Sequence, residues 1–487
     1  MDLVETARLY PDRPAVIFEG HRTSYRELDE LATAAAARLA ALGVAPGDRV
    51  ALWLPNRPSF VAWMYGIWRA GAAVVPVHEM LTVPETRHIL SNSGARVLVC
   101  SQRHADASVP ELISSVEALE HVIVPEREED AAQDGFEPVV REPGSLALVA
   151  YTSGTSGLPK GAMLTDANLR ANIEQMKRIP VATRPGDVVL SILPLFHIYG
   201  LNVVVNLSVD VGATIVLQER FDPAATAELI REHEVTVVAG APPAYVAWLG
   251  LPPEFGRAHW ESVRVAASGA APLPREVLEG FQQRFGVTIW EGYGLTETSP
   301  TLTSTSVGGQ PKPGSVGRPV PDVELRLMAP DGMEAEEGDP GEIVVRGPNV
   351  FGGYWEDPEA TEAAFVDGWF RTGDVAILDD DGDLYLVDRK RDLILVSGFN
   401  VYPKEVEDAI VAHPDVVDCA VVGISDPYHG EAVKAIVALR PGAELDQQQL
   451  VAHAAAHLAP YKVPRTVEFV SDIPRNAAGK VLRRALR

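Results

Sequence analysis

The segment Tyr151 to Gly161 reads YTSGTSGLPKG and directly follows a strand-like run, SLALVA. Gly154, Gly157 and Gly161 let the backbone turn tightly and present amide donors. Thr152, Ser153, Thr155 and Ser156 add hydroxyls, and Lys160 adds a positive charge. Amides, hydroxyls and an ammonium group on one short loop are what a polyphosphate needs. The spacing does not fit G-x-x-x-x-G-K-[ST], so the chemistry of the common phosphate-loop hydrolases is disfavoured. A second glycine-framed segment, GYGLTET (Gly292 to Thr298), sets Glu297 among hydroxyls.

Further segments follow the same residue logic, in order along the chain: PLFHIYG (Pro194 to Gly200), SGAAPL (Ser268 to Leu273), GEIVVRGPNVFGGYW (Gly341 to Trp355), WFRTGD (Trp369 to Asp374), DRKRDLILVSGFNVYPKEVE (Asp388 to Glu407) and PRNAAGKVLRR (Pro474 to Arg484). Together with the first two they resemble the adenylate-forming superfamily: acyl- and aryl-CoA synthetases, nonribosomal peptide adenylation domains and beetle luciferases. The resemblance covers essentially the whole chain. It looks nearest to bacterial medium- and long-chain fatty acyl-CoA ligases, through VSGFNVYPKEVE and PYKVP.

The resemblance implies an ATP and AMP site made of Thr152, Ser153, Gly154, Thr155, Ser156, Gly157 and Lys160 around the phosphates. Gly269, Ala270 and Ala271 would line the adenine, with Glu291, Gly292, Tyr293 and Gly294 beside it and Thr296 on the α-phosphate. Asp374 and Arg389 would hold the ribose hydroxyls, Asn400 would complete the nucleotide site, and Thr155 and Glu297 would hold Mg²⁺. Lys480 would bridge the substrate carboxylate and the α-phosphate, joining Glu297, Thr296, His197 and Lys160 as the catalytic set. His197 is read as a gate or a carboxylate-orienting group. The implied acyl pocket spans the stretch from Tyr199 through Val203 to Asn206, with Pro243, Tyr245, Trp248, Ala267, Ala270, Gly292, Gly294, Pro300 and Thr301. These pocket positions carry no charged side chain, and a dicarboxylate or amino acid would need a partner for its extra charge. Ser397, Gly398 and Phe399 would shape a tunnel for the pantetheine of coenzyme A, with Arg391 as the pivot of the swinging domain that carries Lys480.

The implied reaction activates a carboxylic acid, a fatty acid by nearest resemblance, as acyl-AMP with release of pyrophosphate. The acyl group then passes to the thiol of coenzyme A. The same letters leave an acyl carrier protein open as acceptor, an aryl acid open as substrate and, more remotely, a non-catalytic nucleotide sensor.

Behind these residues stand the elements that must position them. The first hundred residues alternate helical and strand patterns, with strand-like runs RVALWLP, AAVVPV and ARVLVC. Ser24 and Glu27 fit a capping box, and Leu28, Leu31, Ala35, Leu39 and Leu42 then recur at helical spacing. The alternation resumes from Leu146 to Glu297, which predicts doubly wound parallel sheets. From Gly314 to Leu386 short strands and Gly/Pro/Asp turns predict a β-rich subdomain. The charged knot at Asp388 to Asp392 predicts a boundary, with residues 1–388 as an ATP- and acyl-binding unit and 389–487 as a small mobile α+β domain that ends in a short basic helix.

The chain has 487 residues with 42 Lys and Arg against 67 Asp and Glu, a net charge of −25 that opposes a nucleic-acid surface. Cys100 and Cys419 lie far apart without ligand spacing, so buried packing in a reducing, cytoplasmic setting is expected. No long apolar run predicts a membrane span. Nothing in the sequence bears on oligomeric state.

Overall fold

The computed structural model describes residues 3–127, 136–152, 159–336, 338–389, 392, 394–396, 399–426, 430–458, 460–475 and 481–486. Its first sheet orders six strands as His121–Ile123, Val97–Cys100, Arg49–Trp53, Ala73–Pro76, Leu146–Thr152 and Lys160–Thr165. All neighbours run parallel except the last pair, which is antiparallel. Val50, Leu52, Val74, Leu98 and Val99 are buried, because helices cover both faces of a parallel sheet. That is why these strands read as continuous apolar runs.

The helix Tyr25–Ala41 starts at the expected capping box: the Ser24 N–H donates to Glu27 Oε2 at 2.7 Å and the Glu27 N–H to Ser24 Oγ at 3.2 Å. Its buried stripe differs from the sequence reading. Ala32, Ala35 and Ala36 face inward while Leu31 is exposed, and Leu42 closes the helix instead of extending it. The cause is the crossing helix Pro58–Arg69. A Cβ on Gly66 would lie 2.5 Å from the Ala35 Cβ, so the backbones approach too closely for leucine between them.

The second sheet orders nine strands as Arg318–Pro319, Thr301–Ser304, Ile289–Gly294, Val265–Ser268, Val237–Gly240, Val188–Ser191, Thr214–Leu217, Pro14–Phe18 and His21–Ser24. Its middle is parallel and its edges are antiparallel. The alternation expected from Leu146 to Glu297 is therefore divided between the two sheets. A β-rich layer follows, with Trp369–Leu378 pairing with both Gly341–Arg346 and Leu384–Arg389.

The last sheet joins Phe399–Val401, Ile394–Val396, Gly430–Leu439, Val416–Asp426 and Thr466–Val470, packed under helices Pro403–Val411 and Gln447–Ala455. Val406, Ile410, Val421, Val437 and Leu450 form its core. The expected C-terminal basic helix is a single 3₁₀ turn, Arg483–Ala485. Arg483 is drawn inward to Glu407 at 2.6 Å, a partly buried pair that stops the chain from winding on as a free helix. Cys100 and Cys419 are both buried and unbridged. No helix among the described residues is long and apolar enough to cross a membrane.

Candidate active site

The parallel strands of the two sheets converge on one cavity of about 1330 Å³. Leu146–Thr152 runs into the glycine-hydroxyl segment, and Val188–Ser191 runs into Leu193 to Tyr199. Val265–Ser268 leads to Gly269 and Ala270, and Ile289–Gly294 to Thr296 and Glu297. Every chemistry-bearing segment here leaves the carboxyl end of a parallel strand, where open α/β sheets bind their ligands.

Of the residues drawn from sequence, Thr152, Lys160, His197, Tyr199 and Val203 line this cavity. So do Ala267, Gly269, Ala270, Glu291, Gly292, Tyr293, Gly294, Thr296, Glu297, Pro300 and Thr301. Tyr245 and Trp248 do not reach the wall. They are fully buried in an aromatic cluster with Trp260 and Phe281, and the Tyr245 hydroxyl donates to Ala267 O at 2.7 Å from behind. Pro243 lines the cavity as expected, Ala244 joins it, and Ala271 stands outside it. Asp374 lies just behind the lining, where its Oδ2 accepts the Tyr293 hydroxyl at 2.7 Å. Arg389 is the register partner of Asp374 on the neighbouring strand, and Phe399 and Asn400 lie on the strand Phe399–Val401. Ser153, Gly154, Thr155, Ser156, Gly157, Arg391, Ser397, Gly398 and Lys480 lie outside the described residues.

Gly294 has a stricter role than leaving room for substrate. A Cβ there would lie 1.9 Å from Pro300 O, so any side chain would displace the loop itself.

The His197 side chain is exposed to the open space of the cavity, within dense surrounding protein. Burial, with a smaller contribution from His78, pushes its pKa down to about 4. Its Nδ1 accepts the Tyr199 N–H at 3.2 Å, which puts the proton of the neutral ring on Nε2. A neutral N–H at the wall can donate to a carboxylate or carbonyl oxygen. It has no open lone pair with which to take a proton from a thiol. Glu291 is the opposite case. It is buried, its Oε2 accepts the Leu273 N–H at 3.2 Å, and its Oε1 has no hydrogen-bond partner among the described residues. Burial raises its pKa to about 7, against the smaller lowering by the Leu273 amide.

Tyr354, within the GEIVVRGPNVFGGYW segment, was not singled out from sequence. Its hydroxyl donates to Glu297 Oε1 at 2.9 Å, and its ring lies 5.6 Å from the Lys160 ammonium. Lys160 also stands 3.5 Å from Asp357. His78 was missed too. It lines the cavity with its ring 4.2 Å from that of Phe196, and no motif surrounds it.

The cavity extends well past the expected acyl pocket. Val189, Val237, Ala239, Val265 and Ala267 lie on one face of three neighbouring strands and all line it. Ala239 pairs with Ala267 near the carboxyl ends, and Val237 pairs with Val189 and Val265 two residues deeper, about 7 Å along the strands. The π-helix Tyr199–Asn206 forms the facing wall through Val203 and Val204. Met176, Ile179 and Val181 line the far end. No residue named on this inner branch is charged; the charged residues that line the cavity are Glu79, Glu85, Lys160, Glu219, Glu291, Glu297, Glu342 and Arg371.

Buried Glu297, with the Thr296 hydroxyl beside it in sequence, offers the hard oxygen donors that suit Mg²⁺. The one tight carboxylate cluster among the described residues, Asp379, Asp381 and Asp383, lies elsewhere. The Lys312 ammonium already fills it, at 2.7, 2.7 and 2.8 Å.

Residues 3–355 match the model of the AMP-binding enzyme family, and residues 405–480 that of the AMP-binding enzyme C-terminal domain. A long-chain-fatty-acid–CoA ligase of Bacillus subtilis (strain 168) is 35% identical, over 99% of this chain and 93% of the relative. A feruloyl-CoA synthase of Amycolatopsis sp. is 39% identical over 99% of this chain and 97% of the relative. The ATP-bound crystal structure of MatB from Rhodopseudomonas palustris superposes with a TM-score of 0.93 at 33% identity, covering 100% of this chain and 98% of that one. The chain belongs to the adenylate-forming family of AMP-binding enzymes, as an AMP-forming acyl- or aryl-CoA ligase.

Proposed function

We propose that this ligase activates a fatty acid as acyl-AMP and passes the acyl group to coenzyme A. One observation carries the substrate reading: a cavity whose polar mouth continues into an uncharged branch walled by valines and alanines. Free carboxylate at one end and hydrocarbon at the other is the division a fatty acid presents. Burying the chain gains roughly 0.8 kcal/mol per methylene, which a charged branch would forfeit.

In the first half-reaction a carboxylate oxygen attacks the α-phosphorus of ATP, and the bond between the α- and β-phosphates breaks to release pyrophosphate. The residues act by positioning and by neutralising charge. Lys160 and the hydroxyls of residues 152–156 hold the phosphates, and Thr296 holds the α-phosphate. Glu297, with Thr155, would hold Mg²⁺. When bound, the ion offsets the negative charge of the departing pyrophosphate. Asp374 takes the ribose hydroxyls together with Arg389. Lys480 stabilises the attacking and leaving oxygens. His197 donates its Nε2 hydrogen to the acid, orienting the carboxylate.

In the second half-reaction the thiol sulfur attacks the acyl carbonyl, the bond to AMP breaks, and the thiol proton leaves to solvent. We place the domain boundary at residue 388, with Arg391 as pivot. Rotation there would withdraw Lys480 and bring Ser397, Gly398 and Phe399 to the pantetheine.

An aryl acid is the second reading, favoured by the 39% identity to a feruloyl-CoA synthase. An acyl carrier protein is the alternative acceptor. Pyrophosphate release across saturated acids, ferulate and malonate, followed by thioester formation on coenzyme A or a panel of carrier proteins, tests both points. Release with ferulate but with no saturated acid would overturn the fatty acid reading.

A further inference from the structure

We propose that Tyr354 is a positioning residue for nucleotide activation. Its phenol orients the Glu297 carboxylate while its ring and Asp357 hold the Lys160 ammonium. One short segment thereby sets two opposite charges that face the polyphosphate. The inference rests on the reading of Glu297 and Lys160 given above.

The segment is built as a mount. Its amides bind both of the elements it serves: the Phe351 N–H donates to Glu297 O at 2.8 Å, and the Trp355 N–H to Gly161 O at 2.7 Å. Gly353 O accepts the Met163 N–H at 3.0 Å. Gly353 has φ +141°, and a Cβ there would lie 2.5 Å from Thr361 Cγ2, so the backbone is committed to this path. On the other side, the Tyr354 N–H donates to Thr361 Oγ1 at 2.9 Å. Asp357 Oδ1 caps the following helix through the Ala360 N–H at 2.9 Å, which leaves Oδ2 to meet Lys160 at 3.5 Å.

The phenol suits its task. A phenol beside a carboxylate is its hydrogen-bond donor, and this one is held against Glu297 Oε1 at 2.9 Å. A donor at Glu297 Oε1 fixes the plane of the carboxylate without neutralising it, which is how supporting groups orient metal-facing acids.

Tyr354→Phe keeps the ring against Lys160 and removes only the hydroxyl. Four measurements on the full-length enzyme test it against Glu297→Gln and the double variant. These are the Mg²⁺ dependence of pyrophosphate release, calorimetric binding of a non-hydrolysable ATP analogue with and without Mg²⁺, thioester formation from supplied acyl-AMP, and melting temperature. Loss of a hydrogen bond to a charged group should raise the half-saturating Mg²⁺ concentration about tenfold. Analogue binding should weaken by a similar factor only when Mg²⁺ is present. Thioester formation and melting temperature should hold, and the double variant should show less than the product of the two single effects. If Glu297→Gln shifts the Mg²⁺ dependence and Tyr354→Phe does not, the positioning role is wrong. If neither shifts it, the metal reading of Glu297 fails first. If Tyr354→Phe slows both half-reactions equally and lowers the melting temperature, the phenol is structural only.

Discussion

The mouth and the inner branch of the cavity are built by opposite rules. At the mouth, loops leaving the strand ends carry Thr296, Glu297 and His197 and a strand start carries Lys160, each fixed by a specific hydrogen bond or ion pair or by a tight turn. In the branch, side chains within the strands, Val189, Val237 and Val265, contribute only shape. Directional chemistry depends on single atoms and tolerates no substitution. A shaped apolar wall depends on volume and can be retuned one residue at a time. The first should fix the reaction, the second the acid.

The largest expected effect concerns the phosphate chemistry proposed for the mouth. Lys480→Ala should slow acyl-AMP formation by about 10²–10³, the usual cost of losing one charge-stabilising donor. Thioester formation from supplied acyl-AMP should survive. Arg391→Pro should do the reverse, because proline fixes φ and removes the freedom a pivot needs. Both half-reactions followed separately, with melting temperatures alongside, check the pair; equal slowing of both steps in either variant would break the two-step division.

Glu291 tests the border between the regions. An acid whose folded pKa is raised binds a proton on folding, so its contribution to stability falls as pH rises from about 4.5 through about 7. Glu291→Gln removes that titration. The variant should gain on the wild type with rising pH, by at most about 3 kcal/mol above pH 7. Melting curves at pH 5 and pH 8 measure the difference, and parallel curves would mean that the carboxyl is already charged.

The smallest effect, and the one that sharpens the contrast most, belongs to the branch. Val265→Trp should lower kcat/KM for the longest accepted acid by roughly 10–200-fold, the range of discrimination a hydrophobic pocket achieves per methylene. The KM for ATP and the rate with hexanoate should not move. An unchanged acid profile would show that the chain does not enter between the strands.

The mouth was far more legible in the sequence than the branch, for a physical reason. Lys160, Glu297 and Asp374 sit in short segments whose glycines and hydroxyls have few other uses. Val189, Val237 and Val265 carry the same letters as any buried strand, and only strand register aligns them into a wall. Tyr354 was hidden differently. Its segment was recognised, but a phenol's aim across 57 positions of sequence to Glu297 is set by the fold. Leu31 and Tyr245 misled because helical spacing and proximity in sequence cannot tell which side of a wall a residue takes. Gly294 lines the cavity as expected, but a contact between backbones, invisible in the sequence, is what requires glycine there.

The π-helix Tyr199–Asn206 gives the branch a further property, one of phase. It holds two faces at once: Val203 and Val204 toward the cavity, and a ladder of amides elsewhere, with Asn202 Nδ2 donating to Ser299 O at 2.6 Å, Asn206 Nδ2 to Asn202 Oδ1 at 3.0 Å, and the Tyr65 hydroxyl to Asn206 Oδ1 at 3.0 Å. Wide turns of this kind hold more residues per revolution than an α-helix. Deleting one residue would close the wide turns to 3.6 residues per turn and change the angular spacing between the residues within them. The asparagine ladder and the valine wall could not then both keep their places. The proposed acid-binding surface is thus indexed by the number of residues in this helix as much as by their identity.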